Sequence, residues 1–322
     1  MDRLRIGVLG CANIAGRSVI PAIKQVESLE LVAVASRTRS KAEEYAQLFD
    51  CEAIEGYQAL LDRDDIDVIY MPLPTGLHEE WVMKALQARK HVHIEKSLAM
   101  NYDEAQRMVD MARSKGLLIM ENFMFLYHRQ HDFVKELIAK GEIGELRCFR
   151  SSFGFPPLDK DNFRYDKALG GGALLDAAAY TVRVSQLFLG NDLWVEAATL
   201  NNHGAEVDIY GGAFLKSDNG LFSEVAFGFD NFYQCNYEIW GSHGKITAQR
   251  SFTPGPDFKP VITLEKQGGT EHFEVEAENH FINILKEFVR SVSENELEPK
   301  YEEILNQARL LQELKDKSNK HG

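Results

Sequence analysis

The sequence predicts an α/β protein in two parts: an N-terminal doubly wound parallel sheet and a C-terminal α+β domain with an open, mainly antiparallel sheet. Three observations carry this reading. Over roughly the first 120 residues, short β-branched runs alternate with longer amphipathic stretches, the pattern of βαβ units. From about residue 145 the rhythm changes to longer alternating segments punctuated by turn signals. The length, 322 residues, is about twice that of a typical domain. The expected domains are 1–122 and 123–322, with the C-terminal helices packing back on the first.

In the first half the expected strands are Arg5 to Leu9, Leu31 to Ala35, Val68 to Met71, His91 to Ile94 and Leu117 to Met120. Helical periodicity falls between them, over Ala15 to Val26, Ser40 to Phe49, His78 to Ala88 and Asp103 to Ser114, several with an acidic first turn or a glycine just past the end. In the second half the strands are Leu146 to Phe155, Trp194 to Asn202, Asp208 to Lys216, Leu221 to Phe229, Tyr233 to Trp240 and Val261 to Gln267. Asp218-Asn219-Gly220 is a strong hairpin turn and Gly268-Gly269 a second one. Helices are expected at Ala173 to Leu189, Asn279 to Ser293 and Tyr301 to Lys317.

A net charge of −13 speaks against a nucleic-acid surface, whose footprint is a basic patch. Any anionic ligand must therefore meet a local cation or a helix N-terminus. No apolar run reaches the roughly 20 residues that span a bilayer, and Met-Asp-Arg-Leu-Arg runs straight into a short strand instead of a signal peptide, so a cytoplasmic location is expected. The 4 cysteines, Cys11, Cys51, Cys148 and Cys235, form no CxxC pair and read as free thiols, with no metal site expected.

Directly after the first strand stands Gly10-Cys11-Ala12-Asn13-Ile14-Ala15, where a Rossmann fold carries G-x-G-x-x-G. Gly10 suits the tight turn, Ala12 is small enough for close approach of a pyrophosphate, and Ala15 allows close helix–strand packing. The N–H groups around Cys11, Asn13 and Ile14 open the helix toward the phosphates. The second strand ends in Ser36-Arg37, where an acidic residue would select NAD and a basic one accommodates the 2′-phosphate of NADP. NADP(H) is the expected cofactor, with Ser36 and Arg37 on that phosphate.

The loops Pro72-Leu73-Pro74-Thr75-Gly76-Leu77-His78 and Glu95-Lys96-Ser97, followed much later by Gly170-Gly171-Gly172-Ala173-Leu174-Leu175-Asp176, resemble in order and spacing the glucose–fructose oxidoreductase, inositol dehydrogenase and MocA family. The resemblance covers nearly the whole chain. It implies a Rossmann domain, then an α/β domain whose open sheet commonly serves as a subunit interface, and hydride transfer between NAD(P) and a sugar or polyol carbon. It further implies that Leu73 and His78 line the cofactor, that Glu95, Lys96 and Asn122 sit by the nicotinamide, and that Arg164 and Asp176 reach the cofactor from the second domain.

Reduction of a ketone leaves charge on oxygen, so the site needs a cation and a proton source; Lys96 can be both. Where many members carry Asp-x-Gly-x-His, this chain has Asp176-Ala177-Ala178-Ala179-Tyr180, and a Tyr180–Lys96 pair suits a proton relay. Ser97 replaces the proline that usually follows the Glu-Lys pair. With Met120 to Leu126 and Arg250-Ser251-Phe252-Thr253-Pro254, these departures resemble the NADPH-dependent sugar 3-ketoreductases of deoxysugar biosynthesis, which reduce the C3 keto group of a dTDP-linked 4-keto-6-deoxyhexose. That resemblance implies substrate contacts from Tyr233 and Thr253. It leaves two alternatives: an NADP-dependent dehydrogenase of a free sugar such as D-xylose or of a trans-dihydrodiol, and a non-catalytic NADP-binding regulator. The expected partners are a small nucleotide-linked sugar and further copies of the chain, as a dimer or tetramer, with no nucleic acid and no membrane.

Two further clusters read as structural. Tyr127, His128, Arg129 and His131 suit a helix start with surface imidazoles better than a metal or diphosphate site. Phe149, Phe153 and Phe155 alternate on one strand face as core or interface.

Overall fold

The computed structural model describes residues 3–319 as two compact units. The first comprises the chain up to Met124 together with Phe281–Leu305, the second Phe125–His280 and the chain from Asn306.

The first unit is built on a six-stranded sheet. In chain order it runs β1 (Leu4–Leu9), α1 (Ile20–Ile23), β2 (Leu29–Ser36), α2 (Arg39–Phe49), β3 (Glu52–Glu55), α3 (Tyr57–Leu61), β4 (Val68–Met71), α4 (His78–Gln87), β5 (His91–Ile94), α5 (Tyr102–Lys115) and β6 (Ile119–Glu121). The strand order is β3-β2-β1-β4-β5-β6 and every pairing is parallel. This is the doubly wound Rossmann order, in which the chain reverses direction across the sheet beside β1 and opens a ligand crevice at the strand C-termini. All four residues of β4 are fully buried, as expected of a central parallel strand covered on both faces. Helix α5 is closed at both ends: the Asn101 side chain accepts from Glu104 N at 3.0 Å, and Gly116 adopts φ 63° just past the last turn.

The second unit contains α6 (Arg129–Ala139), β7 (Leu146–Gly154), α7 (Ala179–Leu189), β8 (Leu193–Asn201), β9 (Tyr210–Ser217), β10 (Phe222–Gly228), β11 (Gln234–Gly241), β12 (Gly244–Gln249), β13 (Val261–Lys266) and β14 (Gly269–Glu274). Its eight strands lie in the order β14-β13-β12-β11-β7-β10-β9-β8. All pairs are antiparallel except β7 with β10. One sheet face is packed: Phe149 stacks on Phe188 of α7 and on Tyr237 of β11, each at 5.5 Å. Phe149 and Phe153 are therefore core, while Phe155 lies just past the end of β7.

Helices α8 (His280–Ser293) and α9 (Glu298–Ser318) end the chain. All but the first residue of α8 and the opening turns of α9 belong to the first unit, the rest of α9 to the second. In the first unit Tyr301 donates from Oη to Leu117 O at 2.6 Å.

The structure corrects several expectations. Strands β3, β12 and β14 and the short α3 were not expected. In β3 only Ile54 is buried, and β14 is an edge strand with almost every residue exposed, so neither shows a clean alternation. Strand β9 begins at Tyr210, because Asp208 is diverted to cap another segment. The imidazoles of His128 and His131 are buried, not at the surface. His128 does precede helix α6, its ring accepting from Gln130 N at 3.2 Å, but the helix buries its N-terminal end. His131 Nδ1 lies 3.1 Å from Tyr237 Oη.

Candidate active site

In the first unit the residues expected to meet the cofactor gather at the C-terminal ends of β1, β2, β4, β5 and β6. Gly10 has φ 126°, and a Cβ there would lie 3.1 Å from Leu73 Cδ2. The turn therefore requires glycine and brings Leu73 onto it. The chain from Ala15 to Val19 is wound as a π-helix before α1, a feature frequent at functional sites. Tyr45 donates to Ala12 O at 3.2 Å. Its ring would also lie 3.2 Å from a Cβ at Gly16, so Gly16, which the fingerprint did not single out, is a further small position. Asn13 is exposed, and Cys11 and Ile14 are half-buried. The Cys11 thiol is pushed up to about 11 by burial, so it is present as the thiol at neutral pH.

At the end of β2, Ser36 is buried and Arg37 exposed. Arg39 is engaged with Glu43 at 2.7 Å, whereas Arg37 takes part in no ion pair among the described residues. A small, glycine-dependent turn at a helix start with an uncommitted arginine at the neighbouring strand end fits a dinucleotide bearing a 2′-phosphate.

His78 is fully buried. Its Nε2 lies 2.7 Å from Leu73 O, and its Nδ1 lies 3.0 Å from Ser97 O and 3.1 Å from Leu98 O. Thr75 Oγ1 also donates to Ser97 O at 3.1 Å. Both ring nitrogens thus face backbone carbonyls, one of them bonded through the single N–H of the neutral ring, and His78 acts as a strut between the Leu73 loop and the loop carrying Lys96. The Lys96–Ser97 peptide is cis. Behind Lys96, Glu95 Oε1 accepts from Tyr70 Oη at 2.7 Å and from Asn122 Nδ2 at 2.6 Å. Burial raises the Glu95 carboxyl above the ordinary range, opposed by these two donors and by the Lys96 ammonium. Asn122 is itself fixed by its N–H to Ile94 O at 2.7 Å. The sequence analysis missed Tyr70 and Thr75; a tyrosine within an otherwise apolar buried strand was the available signal for the first.

The second unit holds the other half of the expected residues. Arg164 Nε donates to Asp176 Oδ2 at 2.6 Å, a salt bridge of two largely buried side chains. The glycine run explains how they meet. A Cβ on Gly171 would collide with Arg164 O, and one on Gly172 would stand 2.5 Å from Asp208 Oδ1. Asp208 Oδ2 accepts from Leu174 N at 2.6 Å, which holds the start of the helical segment. From Leu174 to Ala178 that segment is again π-wound before α7, so both expected ligand sites carry the same irregularity. Tyr180 follows at the start of α7, its ring 4.9 Å from Phe153, 5.7 Å from Phe125 and 5.6 Å from Phe252.

Tyr233 and Thr253 come together beside this cluster. Cys235 Sγ lies 3.7 Å from Thr253 Oγ1, and Phe252 N donates to Cys235 Sγ at 3.4 Å. Arg250 Nη1 donates to Tyr233 Oη at 3.1 Å.

An uncommitted arginine at a Rossmann crevice, a lysine backed by a buried carboxylate, and a second unit with an open sheet define a nucleotide-dependent oxidoreductase. Residues 4–123 match an oxidoreductase family with an NAD-binding Rossmann fold and residues 131–247 match the GFO/IDH/MocA C-terminal domain; the chain belongs to this family. A dTDP-3,4-didehydro-2,6-dideoxy-α-D-glucose 3-reductase of Saccharopolyspora spinosa is 45% identical over 90% of this chain and 87% of its own. A 3-ketoreductase from Actinomadura kijaniata, solved in complex with NADP and TDP-benzene, superimposes with a TM-score of 0.95 at 40% identity, covering 98% of both chains. That protein has also been solved with a tyrosine changed to phenylalanine and with a lysine changed to alanine or glutamate. An NADP-linked D-xylose 1-dehydrogenase of Haloferax volcanii is 32% identical over 91% of this chain and 90% of its own. Among the described residues no helix is long and apolar enough to cross a membrane.

Proposed function

We propose that this chain is an NADPH-dependent reductase that delivers a hydride to the C3 keto group of a dTDP-linked 4-keto-6-deoxyhexose, acting in the cytoplasm as a homo-oligomer. The observation that carries this reading is the near full-length likeness to two 3-ketoreductases. In the second of them, the lysine and tyrosine chosen for substitution are separated by the same interval as Lys96 and Tyr180 here.

NADPH, when bound, supplies the hydride that reduces the carbonyl carbon. The chain's own residues bind and orient it: Gly10, Cys11, Ala12, Asn13 and Ile14 at the pyrophosphate, Ser36 and Arg37 at the 2′-phosphate, and Leu73, Glu95, Asn122, Arg164 and Asp176 around the remainder. His78 serves this role through the loops it ties together. Lys96 stabilises the developing charge on the carbonyl oxygen and donates the proton that makes it a hydroxyl. Tyr180 takes part in the proton relay to the alkoxide, and Tyr233 and Thr253 contact the substrate. The open face of the eight-stranded sheet, where Trp240 is 51% and Val261 40% exposed, is the proposed subunit contact.

The likeness to a D-xylose dehydrogenase favours a second reading, NADP-linked oxidation of a free sugar. A paired assay separates the two. NADPH absorbance is followed with a dTDP-linked 3,4-diketo-deoxysugar made in place by its preceding enzyme, and NADP⁺ reduction is followed with D-xylose and a trans-dihydrodiol. Rapid NADPH loss with the nucleotide sugar alone is expected; NADP⁺ reduction by a free sugar or diol, with no response to the nucleotide sugar, overturns the proposal.

A further inference from the structure

We propose that Arg250 is the residue of this chain that receives the diphosphate of the nucleotide sugar and so selects nucleotide-linked over free sugars. This rests on the substrate reading just given and deepens it. The inference starts from charge. The chain carries a formal −13, so a dianionic substrate needs a local cation, and the hydroxyls of Tyr233 and Thr253 cannot supply one. Arg164, assigned above to the cofactor, is already neutralised by Asp176 at 2.6 Å. Arg150, on the same sheet, is paired with Glu224 at 2.6 Å and Glu238 at 3.4 Å. Arg250 forms no ion pair among the described residues.

Arg250 is also held in place, unlike an ordinary surface arginine. Its backbone adopts φ 54°, a left-handed conformation uncommon outside glycine. The residues after it are clamped to β11 and β12. Ser251 N donates to Cys235 O at 2.9 Å, Ser251 Oγ donates to Ala248 O at 2.9 Å, and Phe252 N is bound to Cys235 Sγ. The guanidinium lies 4.8 Å from the centre of the Tyr233 ring and donates one N–H to the Tyr233 hydroxyl. Held over one ring and hydrogen-bonded to its hydroxyl, it has lost much of its rotamer freedom before a ligand arrives. One of its five N–H donors is taken up by the Tyr233 hydroxyl, which leaves a fork suited to two phosphate oxygens. The same short segment thus presents a hydroxyl at Thr253 for the sugar and a fixed, uncompensated cation for the diphosphate.

The test is calorimetric titration of the NADP-saturated protein and of its R250Q and R250K variants with TDP and with thymidine, with NADP binding as the check that each variant is folded. R250Q is expected to bind TDP about tenfold or more weakly than wild type while binding thymidine unchanged, since only the charge-assisted phosphate contacts are lost. R250K, which keeps the charge but not the fork, should fall between. Wild-type affinity for TDP retained in R250Q, or a loss for thymidine as large as that for TDP, overturns the role of Arg250 and leaves the substrate reading standing. A wild-type protein that binds no TDP but reduces NADP⁺ with a free sugar overturns the substrate reading, and the proposal with it.

Discussion

Lys96 bears the heaviest chemical demand in this account, because a ketone cannot accept a hydride without a partner for its oxygen. The structure surrounds that lysine with fixed groups: Thr75 and His78 hold the Ser97 carbonyl on one side, and Tyr70 and Asn122 hold the Glu95 carboxyl on the other. Replacing Lys96 by alanine should lower turnover about 10²-fold or more while fluorescence titration shows NADPH still binding; turnover within a few fold of wild type would remove the proton-donor role. Tyr180→Phe separates relay from packing. The ring sits among Phe125, Phe153 and Phe252, and the variant keeps those contacts, so a fall in kcat with an unchanged melting temperature reports the hydroxyl alone.

At the scale of the element, the most exacting piece is the glycine run leading into α7. Gly172 has φ 116°, and a Cβ there would press on the Asp208 carboxylate that caps the segment. Gly172→Ala should cost about 1–3 kcal/mol, read as a lower urea midpoint, whereas Gly255→Ala, with open space around it, should leave the midpoint unchanged. Equal midpoints for the two would refute this use of the glycine. The same region shows where sequence reading succeeds and where it stops. The parallel strands were legible because each is a short apolar run between amphipathic stretches, and β4 and β5 fall on the expected residues. The candidate site was legible where its residues sit in one short segment, as at Gly10 to Ala15 or Glu95-Lys96. Asp208 was read as a strand residue, because its capping partner lies 34 residues away and local periodicity carries no trace of it. Strand β14 was hidden because an exposed edge needs no buried face, and His128 and His131 were misassigned because an imidazole's burial depends on what packs over it.

For the whole molecule, the buried imidazoles predict how stability responds to acid. Burial pushes His93 down to about 4 and His131 and His280 down to about 3, from an ordinary 6.5. Between those values the unfolded chain binds protons that the folded chain refuses, so stability is unaffected above about pH 6.5 and lost as the pH falls below it. At pH 4.5 each histidine costs on the order of 2 kcal/mol. Glu95 and Asp208, their carboxyls raised by burial, work in the opposite direction, but burial also lowers His78, His91 and His128, so the histidines outnumber them. Urea midpoints measured from pH 7 down to pH 4.5 should therefore drop steadily below about 6.5; a flat or rising profile would contradict the buried, neutral assignment. The central claim concerns where the hydride goes, and it is tested most directly by supplying NADPH deuterated at C4 of the nicotinamide, one face at a time, with the dTDP-linked 3,4-diketo-deoxysugar. From one of the two labelled cofactors the account predicts a product carrying a single deuterium on C3, read by mass spectrometry and NMR. Deuterium on another carbon, or cofactor oxidation that leaves the sugar unlabelled from either face, would contradict it.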